Sequence, residues 1–368
     1  MDAGYLALAA KYVRRQAKQL AEQWDGIRQA EDIEFVHRAR VASRRLRTAL
    51  RMFRDCFGTK RAKRWRKQIR RVTAELGEAR DKDVQIDFLC GILDELKERG
   101  CYPGIARLLV QVERQREQLQ PKVVGAIERL RTGGVVEEIQ TTAKRIVADL
   151  KAPDLTPRTP FVCAQTGRHI CRRLEQLLSY QDSLRDAEDK QRHHAMRIAA
   201  KRLRYTLEIA KPVYDEQLEA IIEAVRKVQT LLGEIHDCDV WIDQLTAFAE
   251  AERKNVRARF GHDGPFMRLG IGIEYLRQNR RSHRRKAFAE LVACWEELIR
   301  QDMWENLFRI LHAPADRAVA EAAESPAQEV PAALLEPAPA EPAAAAPPAF
   351  WHALHRGEVR EDALSRSR

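Results

Sequence analysis

The sequence predicts an all-α protein built from an internal duplication. Residues 37–51 correspond to residues 194–208, and residues 76–84 correspond to residues 232–240. Each stretch of the first pair begins with His and contains Arg-Leu-Arg, and each of the second pair contains Leu-Gly-Glu followed by Asp-x-Asp-Val. Two motifs that recur in the same order indicate a repeated structural unit. Apolar residues in the body follow helical spacing, and no segment shows the alternation typical of a strand.

The sequence of the first half predicts six helices in succession. They cover about residues 5–24, 37–51, 60–76, 81–99, 105–130 and 135–150. Gly77 stands where glycine commonly ends a helix. Asp81 and Asp83 follow it, and acidic residues are favoured at the positive N-terminal end of a helix. We therefore expect one helix to end at Gly77 and another to begin at Asp81.

The second half repeats this plan. Its predicted helices lie near residues 161–179 and 194–208, followed by one that ends at Gly233, one led by Asp237 and two more to about Leu311. Between the halves, prolines break the helical periodicity of residues 152–160. We therefore divide the chain into three parts, which are a first helical repeat at 1–152, a second at 153–312 and a tail at 313–368.

The tail differs from the body in composition. Residues 313–349 are dominated by Ala, Pro and Glu, with too few large apolar side chains to pack, which predicts disorder. Phe350 and Trp351 then restore aromatic residues near the end of the chain. They fit either a short peptide that docks on a partner or an idle terminus.

Charge and composition restrict the class of protein. The chain of 368 residues carries a net charge of +11, and its tail holds five basic and nine acidic residues, so the body is at +15. No leader peptide or apolar run of membrane-spanning length is visible, so we expect a cytoplasmic protein with no membrane partner. The seven cysteines are scattered without a Cys-x-x-Cys pair, which argues against a disulfide framework or a zinc site.

The first basic stretch has an unusual polar face. At about 100° per residue, His37, Arg40, Arg44, Arg47 and Arg51 fall within an arc of about 80°. No acidic residue lies between Val36 and Arg54. Like charges on adjacent turns destabilise a helix by about 0.2 to 0.5 kcal/mol per pair. Such a row indicates an anionic partner, unless acidic residues from neighbouring helices neutralise it.

The second basic stretch keeps this arrangement but ends sooner. His194, Arg197, Lys201 and Arg204 occupy the matching face, and Glu208 stands at the position of the last arginine of the first row. A row of arginines can contact successive oxygens of a phosphate chain through charge-assisted hydrogen bonds. Two such rows would hold a long strand by repeated contacts.

The paired His-x-x-Arg-x-x-x-[Arg/Lys]-Arg-Leu-Arg and Leu-Gly-x-x-x-Asp-x-Asp-Val motifs resemble those of the CHAD domain, the conserved histidine α-helical domain. The resemblance spans about residues 5–311 and implies two four-helix bundles related by pseudo-twofold symmetry. It implies that the basic helices face a shared basic central groove that binds inorganic polyphosphate. It also implies association with polyphosphate granules in the cytoplasm, where the tail could dock on granule proteins. The chain departs from the pattern at His193, and at His236 where the first half has Arg80.

The resemblance places the family histidines and cations on named residues of this chain. With neighbouring basic residues added, the predicted polyphosphate-binding set is His37, Arg40, Arg44, Arg45, Arg47, Arg51, Lys63, Lys67, Arg70, His194, Arg197, Lys201, Arg202, Arg204, Arg226 and Lys227. Arg280, Arg284 and Arg285 of the C-terminal helices are further candidates. The predicted supporting residues are Asp81, Asp83, Asp237 and Asp239. We expect no cofactor, no bound metal and no enzymatic activity.

Two alternatives remain open. A nucleic acid would also bind a cationic surface. Proteins that bind single-stranded nucleic acids usually stack the bases on aromatic side chains as well. The cationic arc of the first basic stretch contains no aromatic residue. A metal-dependent phosphohydrolase could use Asp237 and Asp239 with His236, or Asp81 and Asp83 with His37. Aspartates near a helix start more often cap the helix or orient arginines, so we favour the supporting role.

Overall fold

The computed structural model describes residues 1–30, 32–150 and 157–324. Within these ranges the regular secondary structure consists of α-helices and short 3₁₀ turns without a β-strand, which confirms the all-α prediction. The α-helices are α1 Ala3–Ala21, α2 Trp24–Gln29, α3 Ile33–Met52, α4 Thr59–Glu95, α5 Tyr102–Thr132, α6 Val135–Asp149, α7 Pro160–Leu178, α8 Lys190–Tyr214, α9 Glu219–Phe260, α10 Gly264–Arg300 and α11 Met303–Glu324.

Side-chain caps fix where the lead and basic helices begin. Asp32 accepts a hydrogen bond from the backbone N–H of Glu34 at the start of α3 (2.8 Å), and Asp189 caps α8 in the same way. Asp2 and Thr159 cap the lead helices α1 and α7. The Thr159 hydroxyl also donates to the Asp2 carboxylate (3.0 Å), so the two lead helices begin side by side.

The prediction that Gly77 and Gly233 end helices is wrong. Helix α4 is 37 residues long and passes through Gly77, and helix α9 is 42 residues long and passes through Gly233. Glycine weakens a helix interior by about 1 kcal/mol relative to alanine but does not break its hydrogen bonds. Asp81 and Asp237 therefore lie inside long helices and not at helix starts. Their surroundings are set by neighbouring helices.

The helices pack in the same order in both halves. In the first half α1 packs on α3, α3 on α4, and α4 on α5, while α6 packs on α1. In the second half α7 packs on α8, α8 on α9, and α9 on α10. The basic helices α3 and α8 also contact each other directly. The two repeated stretches are thereby brought together near the middle of the body.

A shared apolar core joins the halves away from the basic helices. Leu89, Ile105, Trp241 and Leu276, from α4, α5, α9 and α10, belong to this one buried cluster. At its edge α5 and α10 cross with their backbones in contact. A Cβ placed on Gly272 would lie 2.1 Å from the carbonyl oxygen of Cys101. Residues Met1–Ala322 thus form one compact unit, whose range includes both predicted repeats.

The tail boundary differs from the prediction. Helix α11 continues past Leu311 to Glu324, so residues 313–324 are helical. The predicted disorder of the later tail, the Phe350-Trp351 segment and the division between residues 152 and 153 lie outside the described residues. In the part of the chain that the structure describes, no helix combines the length and apolar character needed to cross a membrane.

Candidate functional site

Basic side chains from α3 and α8 meet where the two helices pack. We call Arg40, Arg44, Arg197 and Lys201 the central cationic cluster. Arg44 Nη2 donates to Tyr205 Oη of α8 (3.2 Å), which ties the two rows together. Burial first, and then the positive charges of Arg44, Arg197 and Arg40 in that order, lower the pKa of Lys201 to about 7. The cluster therefore holds cations together under mutual repulsion.

Glycines in the long helices make room for the first arginine of each row. The Arg40 side chain lies over Gly77, where a Cβ would be 3.6 Å from Arg40 Nε. Arg197 lies over Gly233 in the same way, at 3.8 Å. A larger side chain at either glycine would displace the guanidinium. A Cβ alone would make only ordinary contact there. The two positions that the sequence marked as helix ends are therefore places where a small residue lies under the first arginine of each row.

The first Asp of each repeated motif lies next to the same arginines. Asp81 is 3.4 Å from Arg40 Nη2, and Asp237 is 3.9 Å from Arg197 Nη2. The pKa of Arg40 is nevertheless lowered, by burial first and then by Arg44, with Asp81 opposing this effect. One carboxylate per row thus orients the first arginine without neutralising the cluster.

The second Asp of each motif binds an arginine of the helix that follows. Asp83 is buried and accepts a hydrogen bond from Arg116 of α5 (2.6 Å). Asp239 accepts one from Arg284 of α10 (2.7 Å), and Lys190 Nζ lies 3.5 Å away. These pairs fasten α4 to α5 and α9 to α10. Their support of the site acts through helix packing.

The three candidate arginines of the C-terminal helices differ in their contacts. Arg284 is buried and paired with Asp239, so it is not free to bind a ligand as the sequence suggested. The Arg280 guanidinium lies over the Phe88 ring, 4.2 Å from its centroid. Arg285 is exposed on α10. None of the hydrogen bonds or ion pairs described for Arg280 and Arg284 joins them to the rows on α3 and α8.

The two family histidines have unlike neighbours. Burial lowers the pKa of His37, and the adjacent charge of Arg80 lowers it further. His194 Nδ1 lies 3.2 Å from His236 Nδ1, and the pKa of His236 is lowered to about 4 by burial and then by Arg197. One of these two nitrogens must donate and the other must accept, so the two rings adopt different roles in the contact. His193 is buried and donates from Nε2 to the Ser183 carbonyl oxygen (2.9 Å).

The two rows differ at their C-terminal ends. Glu208 accepts hydrogen bonds from Arg45 Nε (3.0 Å) and Arg204 Nη1 (3.1 Å). We call Arg45, Arg204 and Glu208 the acid end. Arg204 Nε also donates to Gln229 (2.9 Å). Two of the predicted binding arginines are therefore engaged by one carboxylate that bridges α3 and α8.

The opposite end has no such carboxylate. We call Arg51, Arg66, Arg173 and Arg202 the arginine end. Burial lowers the pKa of Arg51, followed by the charges of Arg66 and Arg202. The pKa of Arg173 is lowered by burial and then by Arg51 and Arg202. In the described ranges no carboxylate of the chain lies within salt-bridge distance of these four guanidiniums.

Arg47 connects the central cationic cluster to the arginine end. Its pKa is lowered by burial and then by Arg70, Arg51, Arg66 and Arg44. The Nε groups of Arg44 and Arg47 are buried without a hydrogen-bond partner. Buried donors are rarely left unpaired in folded proteins. The row therefore retains unused hydrogen-bonding capacity.

The remaining predicted cations lie on the long helices. Lys63, Lys67 and Arg70 are exposed on α4, while Arg226 of α9 pairs with Glu223 and Lys227 is exposed. Arg66 and Arg173 were missing from the predicted set. Arg66 belongs to the strongly basic stretch of residues 60–71, so the sequence alone could have indicated it as a binding candidate. Arg173 lies on a lead helix, and only the packing of α7 on α8 reveals its position.

The side chains proposed for the alternative metal site have other partners. Among the side chains that the structure describes, no group of three or more His, Cys, Asp or Glu could hold a metal ion. Asp83 and Asp239 are each engaged by an arginine of the neighbouring helix. His236 contacts a second histidine at 3.2 Å. The aspartates therefore act chiefly as partners of cations.

Comparison with solved structures shows the fold. The crystal structure of the CHAD domain from the plant Ricinus communis superposes with a TM-score of 0.57 at 22% identity, covering 78% of this chain and 90% of that chain. PptA from Streptomyces chartreusis superposes with a TM-score of 0.49 at 16% identity, covering 78% and 98% of the two chains.

Curated relatives match part of their own length. Two uncharacterized proteins of Mycobacterium tuberculosis, from strains CDC 1551 and H37Rv, are each 27% identical over 239 residues. The match covers 61% of this chain and spans 43% of the length of these relatives.

The family model described as the CHAD domain matches residues 11–246. This range is more than half of the chain, and it includes both basic helices and both Asp-x-Asp motifs. The chain therefore belongs to the CHAD domain family.

Proposed function

We propose that the chain is a non-enzymatic module that binds inorganic polyphosphate. Family membership relates it to polyphosphate at the level of the family. The observation that carries the proposal for this chain is the central cationic cluster, in which burial and the surrounding arginines lower the pKa of Lys201 to about 7. A surface that crowds cations in this way gains most from a ligand with closely spaced negative charges.

The chemistry of the rows suits a phosphate chain. Arginine presents a planar fork of donors that matches phosphate oxygens, and hydrogen bonds between charged groups are stronger than neutral ones. Arg44 and Arg47 are partly exposed and present such forks on successive turns of α3. Arg40, Arg44, Arg47, Arg197 and Lys201 are the proposed direct contacts. Lys63, Lys67 and Arg70 extend the positive field along α4.

A nucleic acid fits this surface less well. Sequence-tolerant binding of single strands relies on aromatic rings that stack on bases. Tyr205 stands between the rows, but it is 3% exposed and its hydroxyl accepts a hydrogen bond from Arg44. It therefore presents no ring face to a base. Polyphosphate needs only the phosphate contacts.

The test compares polyanions and variants. Replacing Arg40, Arg44 and Arg47 together by alanine should lower affinity for long-chain polyphosphate by about 10²-fold or more, since each contact to a charged group contributes on the order of 1.5 kcal/mol. The matched control replaces Arg114, Arg145 and Arg268, which are exposed on α5, α6 and α10. It removes the same charge and should change affinity less than about threefold. Equal losses in both triple variants would reduce the site to general attraction.

The same preparation tests the alternatives. Binding is measured beside single-stranded DNA and RNA of comparable charge across a salt series, because phosphate contacts make affinity salt-dependent. Phosphate release is assayed with and without Mg²⁺. We expect preference for polyphosphate and no release. Metal-dependent release would assign the chain to the phosphohydrolases.

We further propose that the chain acts at polyphosphate granules in the cytoplasm, where residues 325–368 contact granule proteins. A chain that stops after Glu324 should bind purified polyphosphate as the full chain does. In cells it should leave the granules more readily. Unchanged granule association of the shortened chain would remove the tail from this proposal.

A further inference from the structure

The two ends of the basic rows occupy equivalent positions in the duplicated body. Glu208 of α8 stands at the position of Arg51 of α3, and Arg202 at that of Arg45. Counting back from the shared Leu-Gly-Glu motif, Ile222 of α9 stands at the position of Arg66 of α4. The same place in the fold is therefore filled by cations at one end and by a carboxylate and an apolar side chain at the other.

At the acid end most of the local cations already have a carboxylate partner. Glu208 bridges Arg45 and Arg204 at 3.0 and 3.1 Å. Lys211 Nζ lies 2.6 Å from Glu219 at the same end. Glu208 and Glu219 both line one cavity of about 240 Å³. A phosphate entering this cavity would have to displace a carboxylate or lie against one.

The cations of the arginine end lack a carboxylate partner. Helix α3 packs on α4 and α8, and α7 packs on α8, which brings together one arginine from each of the four helices: Arg51, Arg66, Arg173 and Arg202. Arg173 donates to the neutral side chain of Gln176 (3.1 Å). None of the four guanidiniums has a carboxylate within salt-bridge distance in the described part of the chain. Four helices thus converge on a site that lacks its counter-charge.

The arginine end is continuous with the central cationic cluster. Arg47 lies one helical turn from both Arg44 and Arg51 on α3. Its buried Nε has no hydrogen-bond partner. The second row has no such continuation, because Arg204 is held by Glu208 and Gln229. A strand seated on the central cluster therefore meets donors in one direction and a carboxylate in the other.

We propose that the binding site is one-sided. A polyphosphate strand leaves the central cationic cluster over Arg51, Arg66, Arg173 and Arg202, and Glu208 stops it at the acid end. This inference rests on the proposed function and narrows its site. Arg45, Arg204 and Arg226, which the sequence assigned to the ligand, lie outside the path of the strand. Arg66 and Arg173 enter it.

Two double variants of equal charge test the proposal. Arg51→Ala with Arg66→Ala removes two cations from the arginine end, and Arg15→Ala with Lys211→Ala removes two from the cavity at the acid end. The first pair should lower the affinity for long-chain polyphosphate at least about tenfold. It should also lower the slope of log affinity against log salt concentration by about 0.7 for each lost contact. The second should change affinity less than about threefold. Calorimetry measures both, and circular dichroism checks that each variant is folded.

Ligand length and Glu208 provide further readouts. Tripolyphosphate can be held by the central cationic cluster alone, so the Arg51/Arg66 variant should bind it within about threefold of the unaltered protein. Glu208→Gln should strengthen long-chain binding, because a repelling charge is removed. Equal losses in the two double variants, or no gain from Glu208→Gln in a folded protein, would overturn the one-sided site. Absence of polyphosphate binding by the unaltered protein would instead overturn the proposed function.

Discussion

Lys201 lies among arginines of two helices. Arg44 and Arg40 reach it from α3, and Arg197 and Arg202 flank it on α8. With a pKa of about 7, it is only partly charged near neutrality in the free protein. A bound phosphate would restore its ordinary pKa, so binding takes up a proton.

This uptake predicts a pH dependence. Above pH 7 the free protein must gain a proton on Lys201 in order to bind, so affinity for polyphosphate should fall by up to about tenfold per pH unit. Calorimetry in buffers of different ionisation enthalpy measures the proton uptake directly. In Lys201→Arg the charge is permanent, and the fall above pH 7 should disappear. An identical pH profile in the variant would assign the proton to another group.

The same shift affects stability in the opposite direction. The unfolded chain keeps Lys201 protonated up to its ordinary pKa of 10.5, while the folded chain loses the proton near 7. The unfolded state therefore binds more protons between these values, and this group makes the free energy of unfolding rise with pH there. Its contribution levels off below pH 7, where both states are protonated.

At the scale of the element, the long helices and their glycines position the rows. Gly77→Ala should retain binding and stabilise α4 by up to about 1 kcal/mol, because a Cβ there makes only ordinary contact with Arg40. Gly77→Leu should push Arg40 away from Asp81 and weaken polyphosphate binding. Gly91→Leu is the matched control, since nothing lies within 4 Å of a Cβ at Gly91 on the same helix. Loss of binding in the control would point to a general effect on α4.

The helices were predictable because their apolar spacing and caps are local properties. The paired His, Arg and Asp motifs likewise marked Arg40 and Arg197 without any coordinates. The place of Gly77 was not predictable, because a glycine ends a helix in one setting and lies beneath a neighbouring side chain in another. Only the packing of α3 on α4 distinguishes the two. For the same reason the sequence could not show that the supporting residue Asp83 binds Arg116 of α5.

At the scale of the whole molecule, the crossing of α5 and α10 joins the repeats. Gly272→Ala should lower the free energy of unfolding by about 1 to 3 kcal/mol or more, because the new Cβ would overlap the Cys101 carbonyl oxygen at 2.1 Å. Gly270→Ala, two residues earlier, should stay within about 1 kcal/mol, since its nearest neighbour is the Phe266 ring at 3.6 Å. Denaturant titration measures both variants. We expect one cooperative transition, and separate transitions for the two repeats would contradict the shared core.

Contacts between the halves were the part least accessible from sequence. The duplication indicated two similar units but not which faces they share. Glu208 looked like the early end of a cationic row, and only its contacts with Arg45 and Arg204 identify it as a bridge. Arg173 carried no sequence signal, because its neighbours Arg51 and Arg202 come from other helices.

The crowding around Lys201 also concerns the lifetime of the protein. The folded chain holds together positive charges that the unfolded chain separates. Their repulsion therefore destabilises the native state relative to the unfolded state. A ligand that binds only the native state raises its stability by about 2.7 kcal/mol at a hundred times the dissociation constant. Chains that unfold less often are degraded less often. The amount of this protein in a cell would then follow the supply of its own ligand, without any dedicated regulator.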